Sequence, residues 1–177
     1  MGMAGDVLIG LFLGVSLRLV IWMLTIAGAI IAQSIGLAQF LGVALEHEAQ
    51  TITANMLSMA GAAILLTADY HVSVFVSLLN LYSQIPVGGQ DVMDQAFFID
   101  SIYSALGFAA LLAWPFVAVN LIYNVCLGFI HKALPQMMVA FVGAPFMVGA
   151  GLFMLAVSIA SLLFVWKDRV PGLIGWL

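Results

Sequence analysis

The sequence predicts an all-α integral membrane protein built from long broken helices and helical hairpins. Composition is the first reason. The 177 residues are 65% hydrophobic and only 7% charged, whereas a soluble domain carries about 25% charged residues. Mean hydropathy is +1.22. The second reason is patterning. Four apolar blocks, Val7–Leu45, Ala54–Tyr82, Ala96–Ile130 and Gln136–Trp166, each exceed the roughly 20 residues that one membrane crossing requires. The third is a polar stretch, Gln33–Asn55, that separates the first two blocks.

The first block, as one straight helix, would be nearly twice the thickness of the hydrocarbon layer at about 1.5 Å per residue. The blocks must therefore tilt, break, or project beyond the bilayer. Gly28 and Gly36 punctuate the first block, and Gly10 with Gly14 forms a GxxxG pair suited to close helix approach. Pro86 and Gly88 end the second block and open a polar loop with Asp91 and Asp94. Pro115 interrupts the third block. In the fourth, Pro135-Gln136 and then Gly143-Ala144-Pro145 are expected breaks, because proline lacks the amide donor and crowds the preceding turn. Trp166 and Trp176 flank Lys167 and Arg169, an arrangement expected of an interfacial anchor. Placing Lys132 and the Lys167/Arg169 pair on one side requires the fourth block to double back near Gly143–Pro145.

The polar stretch reads QSIGLAQFLGVALEHEAQTITAN. Its Gln33, Gly36, Gln39, Glu46, His47, Glu48, Gln50 and Thr51 need water, at a membrane boundary or in a conduit, because non-helical backbone at membrane depth survives only in such places. The stretch is expected to be a loop or broken helix facing a conduit, with a solvated loop as the plain alternative. Glu46-His47-Glu48 is not expected to bind metal. Adjacent helical residues diverge, and the second histidine of an HExxH zinc helix is missing.

Arg18, Asp69 and His71 are ionisable groups in or between apolar runs, where such groups are candidates for function. Arg18 would otherwise snorkel to the interface or pair with a subunit. Asp69 and His71, in TADYHVS, read as a solvated turn ahead of a proton relay. Met56, Met59, Met137, Met138, Met147 and Met154 gather near the expected breaks, where deformable side chains could seal a passage; core filling is the plain reading for each. Cys126 alone excludes an internal disulfide. No GxSxG elbow, P-loop or dinucleotide fingerprint is present, and no basic stripe suits nucleic acid. No enzyme, cofactor or metal is expected. The N-terminus lacks a signal peptide's basic region.

Three stretches carry a family resemblance. LIGLFLGVSLRLVIWMLTIAGAIIAQSIGLA resembles the segment entering the plug region of FliR proteins of the flagellar type III export gate, which are related to SctT-type injectisome subunits. ADYHVSVFVSLLNLYSQIPVGG, with His71, Pro86 and Gly88, is similar to the family's helix after a polar turn. NLIYNVCLGFIHKALPQMMVAFVGAPFMVGAG matches through Leu127-Gly128, Pro135-Gln136, Gly143-x-Pro145 and Gly151.

The resemblance implies one export-gate domain over residues 1–177 that lacks the family's N-terminal hydrophobic region. It also implies assembly into a hetero-oligomeric gate with FliP-like and FliQ-like subunits and an FlhB-like protein. Unfolded flagellar subunits would be the cargo, and the inner membrane at the flagellar basal body the location. Residues around Gly36–Thr53 then correspond to the channel plug, although ALEHEAQT stands where the family has Asp-Pro. The rival reading is a self-contained transporter using Arg18, Asp69 and His71. A membrane-embedded enzyme would need polar groups converging on one pocket.

Overall fold

The computed structural model describes residues 2–36, 46–84, 95–133 and 139–173. It contains α1 (Gly2–Ile35), α2 (Glu46–Thr67), α3 (Tyr70–Gln84), α4 (Gln95–Ala133) and α5 (Val139–Leu173). There is no strand among the described residues. Helix is the expected answer to this composition, since it satisfies every backbone polar group within one segment. Three helices are long and apolar enough to cross a membrane, over Leu13–Ile35, Ile99–Ala133 and Gly143–Gly172. A fourth candidate is the pair α2–α3, bent by 69° at a short break.

Helix α1 is the centre of the bundle and contacts α2, α4 and α5. Its buried positions Ser16, Leu19, Val20, Met23, Leu24, Ala27, Ile31, Ala32, Ser34 and Ile35 recur at three- and four-residue steps, the spacing of a helical seam. Helix α2 lies antiparallel against it. A Cβ on Gly28 would stand 2.7 Å from Ala54 Cα, so the absence of a side chain sets how closely the two backbones approach. One turn away, the Thr25 and Ser58 hydroxyls share a hydrogen bond of 2.9 Å across the pair.

Helix α5 runs antiparallel to α1 on another side. Its Trp166 is fully buried, and the indole Nε1–H donates to the Val20 carbonyl at 3.1 Å. Gly151 faces Ile35 farther along the same pair. Trp166 also borders Gly61 of α2 together with Leu24, so α1, α2 and α5 meet at this one indole. Helix α4 adds Ala105, Ala109, Leu112, Ala113 and Phe116 to the same core.

Several expected breaks are absent. Helix α1 passes through Gly28 without interruption, α4 through Pro115, and α5 through Gly143 and Pro145. A proline costs one intrahelical hydrogen bond, and the rest of each long ladder evidently outweighs it. The fourth block therefore does not double back. Lys132 and the Lys167/Arg169 pair fall at opposite ends of the bundle, and these charges set no orientation. Gly10 and Gly14 have nothing within 4 Å of a notional Cβ, so the GxxxG pair makes no close contact within the chain. Trp166 is a core residue and not an interfacial anchor, because a buried indole N–H needs an acceptor and Val20 supplies one. Pro86, Gly88, Pro135, Gln136, Met137, Met138 and Trp176 lie outside the described residues.

Candidate gate segment and its surroundings

The polar stretch begins in the last turns of α1, where Gln33 is exposed. Helix α1 then stops at Gly36, whose φ of 74° is the left-handed conformation that glycine adopts without steric cost at a helix end. The Gly36 amide donates to the Gln33 carbonyl at 3.1 Å, closing the final turn. Gln39 lies outside the described residues. Glu46, His47, Glu48, Gln50 and Thr51 form the first turns of α2, and their side chains lie outside the described residues.

From Glu46 onward the polar stretch is helical, and residues 37–45 stand between the two helices. The reason is electrostatic. Glu46 and Glu48 stand at the N-terminal turn of α2, where acidic side chains favour the helix dipole. Since α1 and α2 are antiparallel, both ends of the polar stretch lie at one end of the bundle. The alternation of partners through α5 puts the α4 C-terminus, with His131 and Lys132, at that end too.

The other ionisable candidates are elsewhere. Arg18 is near the level of Lys167 and Arg169, because Val20 touches Trp166. Its guanidinium lies over the Trp22 ring, 5.8 Å from the centroid, on the exposed side of α1. Arg169 lies similarly over Phe108. Asp69 and His71 are exposed at the turn between α2 and α3. Asp69 has φ 57°, and its carbonyl accepts from the Val72 and Ser73 amides at 3.0 and 3.3 Å. It therefore ends one helix and starts the next, which makes it the pivot of the 69° bend. No ion pair joins Arg18, Asp69 or His71 among the described residues. No group of three His, Cys, Asp or Glu side chains there could hold a metal.

The methionines divide by face. Met147 is buried and Met154 half-buried, both as core; Met56 and Met59 are exposed, on the side of α2 turned away from α1. With Ile52 they form an apolar stripe that starts directly after the polar turns.

Outward apolar surface is extensive. Helix α3 approaches only α2 closely along its backbone; Tyr70 at its start reaches the core, and Val72, Phe75, Val76 and Leu79 are all exposed on it. Their spacing of three, four and seven residues puts them on one face. On α4, large exposed apolar residues run from Ile99 to Ile130, a rise of about 46 Å at about 1.5 Å per residue. The hydrocarbon layer is only about 30 Å thick. A tilt near 50° would be needed to cover that surface with lipid, beyond the usual range of about 0–40°.

A family described as bacterial export proteins, family 1, matches residues 1–172. The chain belongs to this family. Proteins named flagellar biosynthetic protein FliR are its relatives. That of Caulobacter vibrioides is 30% identical over 173 residues, covering 96% of this chain and 68% of the relative. That of Aquifex aeolicus is 28% identical over 157 residues, covering 87% and 60%. That of Escherichia coli is 27% identical over 155 residues, covering 85% and 59%. The chain thus spans about three fifths to two thirds of the length of these relatives. The expected family and the all-α membrane architecture are both borne out.

Sequence reasoning missed the groups that organise the interior. Nothing in the sequence marks Thr25 and Ser58 as a pair, because their hydrogen bond depends on the register of two helices. Asn120 and Asn124 went unread as well, although their spacing of four residues on a helix was a signal that could have found them.

Proposed function

We propose that this chain is a structural and gating subunit of the flagellar type III protein export apparatus. It would help to form the conduit for unfolded flagellar subunits, in the bacterial inner membrane at the basal body. FliP-like and FliQ-like subunits are the proposed neighbours, with an FlhB-like protein at the entrance. The observation that carries this reading is the α4 surface. Apolar side chains exposed over about 46 Å exceed what a bilayer covers, so neighbouring protein helices must cover part of them. The bare stripe of α3 points the same way, and the hydrophobic core shared by the described helices α1, α2, α4 and α5 supports treating residues 1–177 as one domain.

The gate itself is assigned to the polar end of the α1–α2 hairpin. Gln33, Gly36 and Gln39 lead into residues 37–45, and Glu46–Thr51 lead out. Residues 37–45 block the conduit, and the deformable Met56 and Met59 seal against its contents. The mechanism is passive: cargo or a partner displaces the segment, while other components supply the energy. A proton relay through Arg18, Asp69 and His71 is not favoured, because Arg18 stacks on Trp22 and the other two face outward.

Co-expression with FliP-like and FliQ-like proteins from the same source, followed by purification through a tag on this chain, tests the assignment. A defined hetero-complex is expected. Recovery of this chain alone, stable and monodisperse, would overturn it. Within the assembled complex, deletion of residues 38–44 should raise ion conductance, and unchanged conductance would remove the plug role.

A further inference from the structure

Asn120 and Asn124 form a defined polar feature on α4, inside the apolar span Ile99–Ala133. The Asn124 Nδ2 donates to the Asn120 carbonyl oxygen at 2.9 Å and to the Asn120 Oδ1 at 2.8 Å. These contacts fix both amides. The main-chain carbonyl can only accept, so the Asn124 atom facing it is nitrogen. The Asn120 atom facing that nitrogen must then be oxygen. Two groups remain without a partner among the described residues: the Asn120 Nδ2 donor and the Asn124 Oδ1 acceptor.

Their place on the helix matters as much as their chemistry. The apolar α4 positions buried against the core are Ala105, Ala109, Leu112, Ala113 and Phe116. The same helical stripe continues through Asn120 to Asn124, but Asn120 is only half-buried and Asn124 exposed. The packed seam therefore opens where the two amides begin. Unpaired amide groups are costly at membrane depth, and hydrogen bonds between helices are a recurrent means of holding membrane helices together.

We propose that Asn120 and Asn124 are a docking point for a membrane helix of a dissimilar subunit that carries a side-chain carboxamide. That group accepts from Asn120 and donates to Asn124 at once. A carboxylate can only accept and an ammonium can only donate, so neither satisfies both; a hydroxyl must do both through one oxygen, whereas a carboxamide presents a separate donor and acceptor to the two asparagines. A second copy of this chain fits poorly. Copies inserted in the same direction pair about an axis along the membrane normal, which sets Asn120 against Asn120 and Asn124 against Asn124. The free Asn120 donor then shares an Oδ1 that already accepts from Asn124, and the two Asn124 acceptors face each other with no donor between them. The inference stands independently of the export-gate assignment, since it requires only a membrane-embedded α4.

Cys126 permits a direct test. It is the single cysteine, it is exposed, and two residues beyond Asn124 it projects from a different side of the helix. The full chain, labelled there with a donor fluorophore, is reconstituted in phosphatidylcholine vesicles. Dilute acceptor-labelled Leu/Ala helices are added, bearing either one central Asn or Leu at that position. Energy transfer should reach half-saturation at roughly five- to tenfold less Asn peptide than Leu peptide, and Asn120→Leu/Asn124→Leu should erase the difference. If that double variant loses its helical circular dichroism, Asn124→Ala, which removes the acceptor together with the donor that fixes the Asn120 amide, serves instead. Equal transfer with both peptides, or a preference that survives the substitutions, would overturn the proposal. Transfer between labelled copies without peptide, abolished by the same substitutions, would overturn it in favour of self-pairing.

Discussion

The junction around Trp166 and the outer surface of α3 and α4 are both apolar, yet they are built differently. At the junction, small residues admit close backbones. Gly28 meets Ala54 and Gly61 meets Leu24 and the indole, while each polar group there has a partner inside the chain. On α3 and the C-terminal half of α4, the apolar side chains are large and bare, and the amides of Asn120 and Asn124 keep an unmatched donor and acceptor. Hydrophobicity alone does not distinguish a finished interior from a surface awaiting a partner. Side-chain size at the contact and polar satisfaction do.

Substitutions at the two regions should therefore act on different observables. Trp166→Ala should have the largest effect on the chain itself, destabilising it by about 3–5 kcal/mol through lost packing, as measured by thermal denaturation in detergent. Gly28→Leu should follow at about 1–3 kcal/mol, because overpacking forces α1 and α2 apart. Thr25→Val should cost about 0.5–1.5 kcal/mol by breaking the hydroxyl pair with Ser58. Phe75→Ala with Leu79→Ala should change the stability of the isolated chain least, within about 0.5 kcal/mol. The same double change should nevertheless reduce co-purification of partner subunits. If it unfolds the isolated chain instead, α3 belongs to the interior and the contrast fails.

Much of the architecture was legible in the sequence because the membrane restricts the choices. A chain so poor in charge must span or coat a bilayer, and helix is the economical way to bury its backbone. The turn at Asp69 was legible too, since a polar TADYH between two apolar runs has few other uses. Breaks at Gly28, Pro115 and Pro145 were misread for one shared reason. Residue identity reports the local cost of continuing a helix, whereas continuation depends on the whole ladder and its packing. Trp166 was misread because a tryptophan beside Lys167 and Arg169 suits an interface as well as a core, and only the Val20 carbonyl decides between them. The polar stretch was read correctly as an interruption of α1, but the helix-starting role of Glu46 and Glu48 was overlooked.

The central claim is that protein, rather than lipid, covers α3 and the C-terminal half of α4. A photo-activated benzophenone side chain placed in turn at Leu79, Phe129 and Phe153, in membranes holding the co-expressed partners, tests it directly. Adducts to dissimilar subunits are predicted at Leu79 and Phe129, with lipid adducts predominating at Phe153 on α5. Lipid adducts alone at all three positions would contradict the account.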